Sequence, residues 1–122
     1  MECTISSLYL CVRDMDRAVR FYESFFEREA TLRDPLYSVF EINGFRLGLF
    51  DYGRAGEYHA FGSNCLPSVA VENLAVLRRK LDGLKIVFEV QKIGENWVSE
   101  FEDSEGNHIE LTAPVQEKEV SI

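Results

Sequence analysis

Apolar side chains at Ile5, Leu8, Leu10 and Val12 alternate with polar ones through "TISSLYLCV", the period-two pattern of a strand with one buried face. The alternation stops before Asp14, whose carboxylate can cap the free amides at a helix start. Beyond it Met15, Ala18, Val19, Tyr22 and Phe25 or Phe26 recur at helical spacing, so an amphipathic helix follows. Three strands are expected next: around 30–33, then 37–42 after the Asp34–Pro35 break, then 45–51 after Asn43–Gly44. The last two predict a hairpin, because Asn-Gly readily takes the positive φ angles of a tight turn.

The same order then returns. After the glycine-punctuated stretch "YGRAGEYHAFGSN", the segment "LPSVAV" predicts a strand ending near Asn73. Asn73 can cap a short helix with Leu74, Leu77 and Leu81 on one side, which "DGL" stops. Strands "KIVFEVQKI", "WVSEFE" and "HIELT" follow, separated by "GEN" and "DSEGN". The pattern is βαβββ twice. In one register Val12 falls on Val71, Asp14 on Asn73 and Met15 on Leu74; in a register three residues longer, Gly44 falls on Gly106, Leu47 on Ile109 and Leu49 on Leu111. A tandem duplication explains the match economically. One domain of two modules is expected, with module one at about 4–51, a connector at 52–64, module two at about 65–113 and a polar tail at 114–122. Neither module should be stable alone, since each half sheet needs its neighbour to close the core.

Alternation sorts the strand residues into two faces. Leu8, Leu10, Val12, Leu47, Leu49, Val69, Val71, Ile109 and Leu111 form the helix-facing core. Ser7, Tyr9, Cys11, Arg46, Phe50, Ser68, His108, Glu110 and Thr112 fall on the other face, a mixture of aromatic and polar groups suited to a small organic molecule or to a partner subunit. The parity of Trp97 in "ENWVSEF" stays open between that face and the core.

Composition narrows the function classes. The chain has 122 residues, 46% hydrophobic and 28% charged, as in ordinary soluble domains. No apolar run approaches membrane-spanning length and no signal pattern opens the chain, so a cytoplasmic location is expected. A net charge of -8 disfavours nucleic acid and anionic membranes as partners and would favour a cationic ligand. Cys3, Cys11 and Cys65 lack metal or disulfide spacing, so free thiols are expected.

"LYLCVRDMDRAVRFYESFF" near the start and "FEDSEGNHIEL" near the end together resemble the vicinal oxygen chelate superfamily, which includes glyoxalase I, extradiol dioxygenases and the fosfomycin and bleomycin resistance proteins. The resemblance implies an α+β fold: two tandem βαβββ modules whose mixed sheets form a cup-shaped, partly closed barrel with helices outside. Where the family usually has Asp-Pro-Asp-Gly-Asn, this chain has Asp103, Ser104, Glu105, Gly106 and Asn107, which keeps the glycine that permits the turn. In the metal-dependent members, each module supplies two ligands, and those positions carry over to Ser7 and Gly48, and to Leu66 and Glu110. Only Glu110 is a good ligand for a divalent ion, which usually needs three or more such side chains. No metal and no cofactor are therefore expected. His108 and Glu110 share a face as an H-x-E pair. They could belong to a rebuilt His/Glu/Cys cluster with Cys11, or form a polar pair hydrogen-bonded to Tyr9 or Arg46; His59 in the connector could cover a cleft or lie on the surface.

These features predict a homodimeric module that binds a small organic, possibly cationic ligand in a metal-free cleft, through Ser7, Tyr9, Arg46, Phe50, Trp97, His108 and Glu110. The alternatives are a lyase or isomerase with Glu110 as general base and His108 or Tyr9 as acid partner, and a non-catalytic interaction domain.

Overall fold

The structure, a computed structural model, describes residues 2, 3, 5–58 and 65–117. His59 and the tail after Glu117 lie outside the described residues. The chain divides into two compact units, Met1–Phe61 and Gly62–Ile122. Among the described residues no helix is long and apolar enough to cross a membrane.

Unit one contains β1 (Ser7–Val12), α1 (Met15–Phe26), β2 (Tyr37–Ile42) and β3 (Phe45–Asp51), in sheet order β1-β3-β2. β1 runs parallel to β3, setting Leu8 against Leu47 and Leu10 against Leu49, so one face of the pair is aliphatic. Asn43 and Gly44 both have positive φ, 51° and 83°, and close the β2–β3 hairpin with Ile42 opposite Phe45. Asp14 caps α1 by accepting from the Arg17 amide at 3.1 Å, and Glu27 ends the helix in a left-handed conformation at φ 56°. The face thus aimed at the sheet buries Met15, Ala18, Val19, Tyr22 and Phe25. Tyr22 and Phe26 both pack on fully buried Phe40, with ring centroids 6.2 and 5.6 Å away.

The strand expected around 30–33 shrinks to a single bridge, Leu32 with Val39. Arg33 turns instead toward Asp16 and Glu23, at 3.5 and 3.6 Å, and Asp34 accepts from the Leu36 and Tyr37 amides, so a turn begins before a ladder can extend.

Unit two contains β4 (Ser68–Ala70), α2 (Leu74–Leu81), β5 (Lys85–Ile93), β6 (Asn96–Glu102) and β7 (His108–Pro114), in sheet order β4-β7-β6-β5. Asn73 caps α2 through the Val76 amide at 2.9 Å, repeating the role of Asp14. Leu77 and Leu81 are buried from the helix side; Trp97, Phe101, Ile109, Leu111 and Ala113 are buried from the sheet. β5 slips register twice against β6, between Ile86 and Phe88 and between Phe88 and Gln91. The buried Ser99 hydroxyl donates to the Phe88 carbonyl at 2.8 Å between these irregularities. The architecture is therefore α+β, with two helices and two separate mixed sheets that close no barrel among the described residues.

The β6–β7 connection is held by one side chain. Asp103 is 7% exposed, and its Oδ1 accepts from the Glu105 and Asn107 amides, both at 2.8 Å, while Oδ2 accepts from Asn107 Nδ2 at 3.2 Å. Gly106 supplies the positive φ of 89° inside the turn. Two caps of unlike burial give a ranking. Asp103→Ala strands two amides away from water and is expected to cost about 2–4 kcal/mol, whereas Asp14→Ala exposes its amide to solvent and should cost about 1 kcal/mol. Urea denaturation of the two variants checks the order.

Candidate functional site

Register places the expected residues on the sheets. On unit one, Ser7 pairs with Arg46, Tyr9 with Gly48 and Cys11 with Phe50, while Tyr37, Val39 and Glu41 continue the same rows on β2. Paired residues share a face, so Ser7, Tyr9, Cys11, Arg46 and Phe50 do lie together, opposite the aliphatic face. Tyr9 is 52% exposed and meets Phe50 and Tyr37 edge-on, with centroids 5.5 and 6.2 Å away. Burial, and after it the charge of Glu57, pushes the Cys11 thiol up from its ordinary range, which keeps it protonated and a poor metal ligand or nucleophile at neutral pH.

On unit two, Glu100 pairs with Glu110 and Glu102 with His108 across β6 and β7, and Ser68 pairs with Glu110 across β4 and β7. His108 and Glu110 therefore share a face, as alternation predicted. Trp97 is not with them. It pairs with Ala113, on the face of Phe101, Ile109 and Leu111, and is 0% exposed, so in this unit it is a core residue and its side chain points away from Glu110.

Two like charges directly opposite each other repel, and among the described residues each carboxylate here has one side-chain donor to offset this. The Ser68 hydroxyl donates to Glu110 Oε1 at 2.8 Å, and His108 Nδ1 meets Glu100 Oε2 at 2.7 Å. His108 thus finds its partner within its own unit, in Glu100, where the sequence pattern had suggested Tyr9 or Arg46. Glu100 is the site residue that the pattern alone did not single out. One rung beyond, Lys85 pairs with Glu102 at 3.1 Å.

The four positions implied as metal ligands do not fit a divalent ion. Ser7 is exposed and carries a weak donor, Leu66 carries none and is 37% exposed, and only Glu110 offers a carboxylate. At Gly48 the space a side chain would need is filled, because the Tyr37 ring and hydroxyl lie where a Cβ would sit. Among the described residues no group of three His, Cys, Asp or Glu side chains is placed to hold a metal.

A cleft of about 350 Å³ on unit one, lined by Asp14, Arg33, Asp34, Asp51 and Arg54 among others, contains none of the expected residues. Its charges largely satisfy one another: Arg54 pairs with Asp51 at 3.3 Å and Arg33 with Asp16 at 3.5 Å.

The Tyr37–Gly48 contact makes a specific prediction. Gly48→Ala must push the Tyr37 ring off Tyr9 and should cost about 1 kcal/mol, the scale of an aromatic pair. In a Tyr37→Ala background the same change should be neutral or stabilising, since glycine within a strand is otherwise unfavourable. A double-mutant cycle in urea checks this; equal effects in both backgrounds would show that Tyr37 does not occupy the space.

No family model matches the sequence, and no curated protein does. Solved structures match closely in shape. A glyoxalase-related enzyme from Fulvimarina pelagi aligns with a TM-score of 0.76 and 14% identity over 98% of this chain and 96% of its own. A glyoxalase/bleomycin resistance protein/dioxygenase from Nocardioides aligns at 0.68 and 21% identity over 98% and 88%. A glyoxalase/bleomycin resistance protein/dioxygenase family enzyme from Burkholderia phytofirmans PsJN aligns at 0.78 and 14% over 90% and 98%. With its repeated capped helices and parallel strand pairs, the chain has the fold of the vicinal oxygen chelate superfamily.

Proposed function

We propose that the chain binds a small organic cation without a resident metal, with Glu110 as the polar anchor. The observation that carries this reading is the pair Glu100 and Glu110, opposed across two strands with, among the described residues, a histidine and a serine to offset them. A cation placed on this face relieves the repulsion and replaces the ion that the donor set no longer suits. The net charge of -8 adds a favourable field around such a ligand. The exposed Tyr9 ring with Tyr37 and Phe50 on unit one is, by itself, a surface that accepts flat or cationic groups.

A second reading has support from the same residue. Ser68 holds one oxygen of Glu110, and the other oxygen has no hydrogen-bond partner among the described residues, the arrangement a general base requires. In that case the chain is a lyase or isomerase acting on an acidic C–H. Homodimerisation, and a cytoplasmic location suited to three cysteines that form no disulfide among the described residues, complete the proposal.

Benzamidine, a flat cation, serves as the probe. Its binding, followed by calorimetry, should weaken about tenfold, or ~1.4 kcal/mol, in Glu110→Gln, and should weaken further with added salt. Unchanged affinity in that variant would remove Glu110 from the site. Sedimentation at high micromolar concentration should show a species of twice the chain mass; a monomer alone would rule out the dimer.

A further inference from the structure

The hydrogen bond between His108 and Glu100 determines which way the imidazole works. An ionised carboxylate has only acceptor oxygens, so opposite one the 2.7 Å contact assigns the donor role, and the hydrogen, to His108 Nδ1. A neutral ring carrying its hydrogen on Nδ1 has a lone pair on Nε2. Nε2 has no hydrogen-bond partner among the described residues, so in the neutral ring no group of those residues takes up that lone pair. The contact is well sheltered, with the His108 and Glu100 side chains only 23% and 12% exposed, which favours one fixed arrangement over exchange with water.

Glu110 lies two residues further along β7 on the same face, roughly 7 Å away at the rise of a strand. Ser68 gives its hydroxyl hydrogen to Glu110 Oε1, which leaves Oε2 open. Apart from the Thr112 hydroxyl, which can act either way, and the Lys85 ammonium, whose partner is Glu102, the open polar atoms of this stretch are, when the ring is neutral, acceptors: Nε2 of His108, Oε2 of Glu110 and the Ser68 oxygen. A ligand that satisfies them must carry hydrogens as well as charge.

We propose that Glu100 is a positioning residue that keeps the hydrogen of the neutral His108 ring on Nδ1 rather than Nε2, and that with the ring in that form the site takes cations bearing N–H groups, such as ammonium or amidinium, over quaternary ammonium. This rests on the cation-binding reading above and narrows its ligand class. Loss of Glu100 frees the ring to adopt the Nε2–H form that imidazole side chains prefer in water, and His108 then presents a donor where the ligand also presents one.

Two measurements test this separately. In protein labelled with ¹⁵N at histidine, at pH 8, the His108 proton should be bonded to Nδ1 in the wild type and in Glu100→Gln, whose amide oxygen still accepts. It should move to Nε2 in Glu100→Ala. A wild-type ring protonated on Nε2, or a Glu100→Ala ring unchanged from wild type, overturns the positioning role whether or not any ligand binds. In the second measurement, benzamidine and trimethylanilinium, which share a ring and a charge, are titrated in parallel. Wild type should prefer benzamidine by at least about tenfold, and Glu100→Ala should lose most of that preference. Equal affinities would overturn the N–H requirement while leaving the cation reading intact. Absence of binding by both probes would count against the cation reading, and the tautomer would still decide the role of Glu100. Should Glu100→Ala fail to fold, the wild-type tautomer and probe preference remain decisive.

Discussion

The five-residue turn organised by Asp103 is the constraint from which the chemistry of unit two follows. Its carboxylate satisfies two buried amides and so fixes Glu102 opposite His108. Every later pair on β6 and β7 is then determined, including Glu100 opposite Glu110. A slip of one residue would turn His108 and Glu110 toward the helix and expose Ile109 and Leu111. Burial of those two aliphatic side chains opposes such a slip from the other face. Stability and chemistry therefore depend on the same register.

The two units solve the same packing problem and then diverge. Each uses a short polar side chain, Asp14 or Asn73, to start a helix over a parallel pair of strands. At matching places in their last strands stand Gly48 and Glu110. In unit one the vacant position is covered by a phenol ring, and the face becomes aromatic. In unit two the carboxylate persists, held by a serine, and the face becomes acidic. The difference lies in a few side chains on a common backbone plan.

Much of this was legible in the sequence. Period-two and helical spacing, the two caps and the Asn43–Gly44 turn specify the elements, and alternation alone puts His108 beside Glu110. What escaped was pairing. Once Glu102 is set opposite His108, counting back puts Trp97 opposite Ala113 in the core and Glu100 opposite Glu110. The turn motif held that information, but only if its length was taken to define the register. Tyr37 is a similar case, since counting from Asn43–Gly44 sets it opposite Phe50 and diagonal to Gly48. The missing strand around 30–33 has another cause: Arg33 and Asp34 have nearby partners that favour a turn over a ladder.

The two irregularities in β5 bear on how copies of this chain meet at high concentration. Among the described residues β5 is the longest strand and lies at the end of its sheet order, the place in a sheet where another chain can add on. Because its residues fall out of step between Ile86 and Phe88 and again before Gln91, the rim offers no unbroken run of evenly spaced groups, and Lys85 and Lys92 place charge along it. An incoming extended segment would find its hydrogen bonds mismatched within a few residues, and breaks in register of this kind disfavour the unbroken stacking that fibrils need.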